Sequence, residues 1–128
     1  MIKIAICGYG TVGSGVAEVI SENAESIAKN AAEEISIKYI LDKRDFPGDH
    51  FEKQITHDFS DIENDPEVSV MVETMGGVGA AYEFTKRCLM AGKSVVTSNK
   101  ELVASKGHEL IALAIIHVSF GIRWNLKG

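Results

Sequence analysis

A chain of 128 residues with 45% hydrophobic and 24% charged residues has the make-up of one globular domain, long enough to bury a sizeable core. Its net charge of −5 argues against nucleic acid as the main partner, because duplex binding usually needs a basic face. No apolar run reaches the ~18 residues of a membrane span and the N-terminus enters the fold directly, without a signal peptide, so a cytoplasmic protein with no membrane partner is expected.

Met1-Ile2-Lys3-Ile4-Ala5-Ile6-Cys7 reads as a short apolar strand, and Gly8-Tyr9-Gly10-Thr11-Val12-Gly13 follows it as a G-x-G-x-x-G turn. Val12, Val16, Val19 and Ile20 then recur at helical spacing. Strand, glycine turn and helix in that order form a dinucleotide-binding fingerprint. Gly8 allows the tight exit from the strand, Gly10 admits a pyrophosphate against the backbone, and Gly13 brings the helix close to the strand. The first-turn amides and the positive end of the helix dipole then face the phosphates.

The polar insertion 22–34 lengthens the first helix, and Ile35–Leu41 is a β-branched second strand. Asp42 ends that strand about 29 residues after Gly13, beyond the usual ~20. Its carboxylate suits the adenosine 2′-hydroxyl, whereas Lys43 and Arg44 offer partners for a 2′-phosphate. The ordinary alternative is a solvated charge cluster at a loop start. Both NAD(H) and NADP(H) are therefore expected to bind. Residues 43–53, with Pro47-Gly48, read as a surface loop, and a short strand is expected near Ile55-Thr56-His57.

A helical turn stopped by Pro66 precedes the strand Val68–Glu73, and Thr74-Met75-Gly76-Gly77 forms a loop at its end. Residues 80–91 are helical, with Gly92 as the residue after the cap. Ser94–Thr97 is a fifth strand, Asn99 caps a helical stretch, and a second helix is expected over 107–116. Alternating strands and helices predict an α/β fold, a doubly wound parallel sheet of the Rossmann type with five or six strands. Ligands in such sheets bind beyond the carboxyl ends of the strands, so residues 8–13, 75–77 and 98–100 should line one crevice. Two cysteines, Cys7 and Cys88, read as buried apolar residues rather than a disulfide. The four histidines show no metal-ligand spacing, and no metal site is expected.

Three blocks together resemble homoserine dehydrogenases: Ile-Ala-Ile-Cys-Gly-Tyr-Gly-Thr-Val-Gly-Ser-Gly from Ile4, Glu73-Thr74-Met75-Gly76-Gly77, and Thr97-Ser98-Asn99-Lys100-Glu101-Leu102-Val103-Ala104. The resemblance implies interconversion of homoserine and aspartate semialdehyde with NAD(P)H, on the route to threonine and methionine. By the same resemblance, Tyr9, Thr11 and Val12 line the cofactor with Gly8, Gly10 and Gly13. Met75, Gly76, Gly77 and Asn99 are expected along it too, the glycine pair allowing close approach of backbone to ligand, with a flexible loop as the ordinary alternative. Ser98 and Lys100 would sit near the nicotinamide, and Lys100 is the candidate for proton transfer to the alkoxide.

The match runs from Met1 to about Phe120, which sets the expected dinucleotide-binding domain at 1–120. Residues 121–128 do not resemble the family's glycine-rich crossover and are expected to be an atypical tail. The family's second lysine and its amino-acid-binding carboxylates lie in a downstream domain absent from these 128 residues. The chain alone is therefore expected to lack turnover. A homo-oligomer is compatible with the family. The alternative is a stand-alone dinucleotide-binding module acting as a regulator or redox sensor.

Overall fold

The structure, a computed structural model, describes residues 1–23 and 34–117, with side chains as far as residue 114. The expected strand at 118–120, the tail at 121–128 and most of the 22–34 insertion lie outside the described residues. Five strands pair in parallel: β1 (Ile2–Cys7), β2 (Ile35–Leu41), β3 (Ile55–Thr56), β4 (Val68–Glu73) and β5 (Ser94–Thr97). Their order across the sheet is β3-β2-β1-β4-β5, so the first strand is central and the order reverses beside it. The helices are α1 (Thr11–Glu22), α2 (Ser60–Glu63), α3 (Gly79–Met90) and α4 (Lys100–His117), with a 3₁₀ turn at Glu52–Gln54. No described helix is long and apolar enough to cross a membrane.

Strand alternation divides the core in two. Ala5 and Cys7 of β1, Leu41 of β2 and Met71 of β4 face one side, where Ile62 of α2, Cys88 and Leu89 of α3, and Leu102, Leu110 and Ala114 of α4 cover them. Ile6 and Ile40 face the other side, against Ala17 of α1, Tyr9 and Phe51. Helices thus cover both faces, as a parallel sheet requires. Both thiols are buried and free, and burial pushes them up, Cys88 to about 12.

Helix α3 ends as its sequence predicts. Gly92 takes φ +81°, its amide donates to Leu89 O at 3.0 Å, and the Lys93 amide donates to Cys88 O at 2.9 Å, closing a Schellman motif. Two expectations change. The helical stretches after Asn99 are one helix, in which Leu102 before Gly107 and Leu110 and Ala114 after it are buried in the same core. That burial outweighs the roughly 1 kcal/mol that a mid-helix glycine costs. On α1 the buried residues are Gly13 and Ala17, while Val12 and Val19 are each 56% exposed. Close approach of the helix to the sheet at Gly13 and Ala17, with Val16 alone of the helix valines packed against the second core, sets its orientation.

Candidate dinucleotide-binding site

Strand register places the site. Cys7 pairs with Leu41 on one side and Glu73 on the other, and Glu73 pairs with Thr97, so four strands end in line. The segments that follow them, 8–13, 42–44, 74–77 and 98–100, therefore share the carboxyl edge of the sheet. Hydrogen bonds tie neighbours together there. The Gly8 amide donates to Leu41 O at 2.8 Å, and the Thr74 hydroxyl donates to Gly8 O at 2.7 Å.

Gly8 and Gly13 are both demanded by the chain. Gly8 has φ +104°, and a Cβ on it would lie 3.0 Å from Met75 Cγ. A Cβ on Gly13 would lie 1.8 Å from Gly8 O and 2.9 Å from Thr74 Oγ1. Gly10 differs. Its φ of −87° and ψ of −155° are extended backbone, and among the described residues a Cβ there would meet nothing within 4 Å. It precedes a helix that has neither a side-chain cap nor an acidic residue in its first turn. The Ser14 amide returns to Gly10 O at 2.9 Å, and the amides of Thr11, Val12 and Gly13 precede that first helical bond. Thr11 and Val12 are exposed. An anion at this helix end would meet amides and a positive dipole, with no acidic residue in the first turn of the helix.

Beside the turn lies a cavity of about 550 Å³ with a mostly apolar lining that includes Gly8, Leu41, Phe59, Met75 and Phe84, with Asp42 at its charged end. Its size is in the range of small-molecule sites. Phe59 and Phe84 stack in its wall with ring centroids 4.3 Å apart. Asp42 accepts from the Tyr9 amide at 2.9 Å and from Arg44 Nε at 3.0 Å. These partners, the Arg44 guanidinium first, hold its carboxyl well below the usual carboxylate range.

Tyr9, expected to line the cofactor, turns its ring away from the crevice. It is 7% exposed and packs edge-on against Phe46, with its hydroxyl donating to Asp49 Oδ2 at 2.7 Å. Burial and Asp49 push the phenol up to about 12. The 43–53 segment, expected as a polar loop, therefore turns Phe46 and Phe51 inward to build the second core.

The third block is joined to the second through Glu73, a carboxylate that ends an otherwise largely apolar strand and is only 1% exposed. Glu73 accepts from Asn99 Nδ2 and from the Met75 amide, each at 3.0 Å. Burial pushes its carboxyl up. Asn99 Nδ2 also reaches Gly77 O at 2.6 Å and Met75 O at 3.2 Å, while its Oδ1 caps α4 by accepting from the Leu102 amide at 3.0 Å. The Asn99 side chain is thus spent inside the protein, orienting the 75–77 loop. Gly76, Gly77, Ser98 and Lys100 are exposed along it. Glu73, Thr74 and Asp49 also build the site, although the sequence alone does not single them out as doing so. For Glu73 the sequence carries a signal, an acid that ends an otherwise largely apolar strand just before a glycine loop. Among the described residues no cluster could hold a metal ion.

The model of the family described as "Homoserine dehydrogenase, NAD binding domain" matches residues 8–117. Homoserine dehydrogenase of Pseudomonas aeruginosa is 41% identical over 114 residues, covering 88% of this chain and 26% of that protein. The Lactococcus lactis enzyme is 40% identical over 123 residues, covering 91% of this chain and 28% of that protein. A crystal structure of S. aureus homoserine dehydrogenase superposes with a TM-score of 0.80 at 34% identity, over 91% of this chain and 30% of that one. A hyperthermophilic archaeal homoserine dehydrogenase in complex with NADPH superposes with a TM-score of 0.71 at 25% identity, over 91% of this chain and 41% of that one. The chain spans little more than a quarter of the length of the curated relatives named here. With the glycine turn, the sheet order and these matches in agreement, the chain belongs to the homoserine dehydrogenase NAD-binding domain family.

Proposed function

We propose that this chain is the part of a homoserine dehydrogenase that holds the nicotinamide dinucleotide, and that Gly10 is the observation that carries the reading. Neither backbone conformation nor packing among the described residues explains a glycine there. A ligand passing over its Cα does. The amides of Thr11, Val12 and Gly13 receive the pyrophosphate, with Gly8 and Gly13 shaping the turn. The adenosine lies in the apolar cavity, with Asp42 and Arg44 at its 2′ end. Met75, Gly76 and Gly77, oriented by Asn99, lie along the nicotinamide half with Ser98 and Lys100.

A bound nicotinamide supplies the hydride that reduces aspartate semialdehyde to homoserine. The chain's contribution to that step is electrostatic. The Lys100 ammonium, exposed at the start of α4, stabilises charge developing on the carbonyl oxygen and delivers a proton to it. The groups that hold the amino-acid end of the substrate belong to the part of the relatives outside the matched quarter. Positioning is worth several kcal/mol of barrier, so the 128-residue chain binds cofactor without parent-like turnover.

Calorimetric titration of the unsubstituted chain and of Gly10→Val with NADPH and NADH tests the binding. Binding by the first and none by the second is expected, and equal affinity contradicts the assignment. Loss of NADPH absorbance with aspartate semialdehyde tests turnover. Rates from the 128-residue chain matching those of a full-length homoserine dehydrogenase would refute the division of labour. In a full-length enzyme carrying this domain, Lys100→Ala should slow the reaction, and an unimpaired variant would reduce Lys100 to a helix-end charge.

A further inference from the structure

At the end of β2 the carboxylate is covered and the guanidinium is exposed. The Asp42 side chain is 10% exposed and that of Arg44 is 64% exposed. Asp42 Oδ1 accepts from the Arg44 amide at 2.9 Å and from Nε at 3.0 Å. Its Oδ2 accepts from the Tyr9 amide at 2.9 Å and from Arg44 Nη2 at 3.1 Å. A carboxylate offers about four acceptor positions, so Asp42 has none left for a ribose diol. Arg44 Nη2 also reaches Tyr9 O at 3.4 Å, and no described acceptor engages Nη1. A ligand arriving at the 2′ position meets that free edge of a cation.

The guanidinium does not stand alone. It lies over the Phe46 ring at 5.1 Å, and the Tyr9 ring braces Phe46 edge-on at 4.9 Å. The Tyr9 hydroxyl fixes Asp49 at 2.7 Å, the same Asp49 oxygen accepts from the Phe51 amide at 2.8 Å, and the Asp49 amide donates to Phe46 O at 3.1 Å, closing the turn that begins at Phe46. Tyr9 therefore links the phosphate-binding turn to the platform beneath Arg44.

We propose that Tyr9 is a positioning residue for cofactor selection: through Phe46 and Asp49 it holds the Arg44 guanidinium ready for an adenosine 2′-phosphate, so the domain prefers the 2′-phosphorylated dinucleotide, and Asp42 anchors Arg44 instead of accepting the ribose hydroxyl. This rests on the dinucleotide reading above. The guanidinium fork matches phosphate geometry, and a side chain already fixed in place loses less freedom when the phosphate binds. An exposed charge pair supports a preference of roughly fivefold, so NADH still binds.

Calorimetric titration with NADPH, NADH, adenosine 2′,5′-bisphosphate and AMP tests the proposal on the unsubstituted chain, Tyr9→Phe, Phe46→Leu and Arg44→Ala. NADPH should bind the unsubstituted chain roughly fivefold more tightly than NADH, and Arg44→Ala should erase that ratio. Tyr9→Phe, which removes one hydroxyl, should weaken NADPH and the bisphosphate by roughly threefold while NADH and AMP hold nearly constant. Phe46→Leu should act in the same direction. A general loosening of the fold lowers affinity for both members of each pair, so the ratio isolates positioning. An unchanged ratio in Tyr9→Phe and Phe46→Leu, or a ratio that survives Arg44→Ala, overturns the proposal alone. Binding of neither dinucleotide to the unsubstituted chain overturns the dinucleotide reading beneath it.

Discussion

Gly13 and Gly10 stand three positions apart in one turn and answer to different forces. At Gly13 a methyl group would lie 1.8 Å from the carbonyl oxygen of Gly8, and backbone cannot yield as a flexible side chain can. Gly13→Ala should therefore destabilise the fold by at least about 2 kcal/mol, the scale of overpacking in a dense interior. At Gly10 a methyl group meets open space, so Gly10→Ala should leave stability within about 0.5 kcal/mol while lowering dinucleotide affinity. Urea denaturation of both variants beside cofactor titration separates the two effects. A Gly13→Ala protein as stable as its parent would show that α1 can lift from β1 at little cost. The motif announces both glycines alike, and only the distances tell them apart.

Between elements, the side chain of Asn99 links the loop after β4 to the start of α4. Its amide donates to Glu73 and to two loop carbonyls, and its oxygen caps the helix. Asn99→Ala removes a cap worth about 1 kcal/mol and takes a donor from a buried carboxylate, for a combined loss of about 2 kcal/mol or more. Asn99→Ser keeps a capping oxygen and loses only the amide donor that reaches Glu73 and the loop carbonyls. It should fall between the parent and the alanine variant in urea midpoint. Identical midpoints for Ser and Ala would mean that the cap contributes nothing. The sequence marks Asn99 as a cap before a helix. It does not reveal the link to Glu73, 26 residues away, which exists only because β4 and β5 pair in register.

Across the molecule, acid should weaken the fold through carboxylates held in the charged form. Asp65 accepts from Lys38, from the Glu67 amide at 2.9 Å and from the Tyr39 hydroxyl at 2.8 Å, and these partners, Lys38 first, lower it to about 2. Asp42 is lowered as well. A depressed folded value means that the stabilisation is complete above the unfolded value near 3.9 and is lost as pH falls through the folded one. Glu73 works the other way. Its raised value means its contribution is full below its unfolded value and fades as pH rises through the folded one. Melting temperature should drop between about pH 4 and pH 2, and Asp65→Asn should be less stable at pH 7 with a shallower acid slope. An unchanged slope would show that Asp65 does not drive the acid transition.

Residues close together in sequence determined much of this protein without help. The alternation of apolar strands with helical spacing, the glycine turn after the first strand, Gly92 after α3 and the cap at Asn99 all rest on neighbouring backbone and side-chain preferences, and each is in place in the structure. The family could be read for the same reason, since its blocks are local strings. Tertiary structure decided what depends on distant partners. Gly107 does not break α4 because Leu102 on one side of it and Leu110 and Ala114 on the other are anchored in the same core. Tyr9 leaves the crevice because Phe46 and Asp49, far along the chain, give its ring and hydroxyl better company. Asp42 and Arg44 are near neighbours in sequence, yet which of them is left exposed follows from the Tyr9 amide that occupies the carboxylate and the aromatic platform that carries the cation.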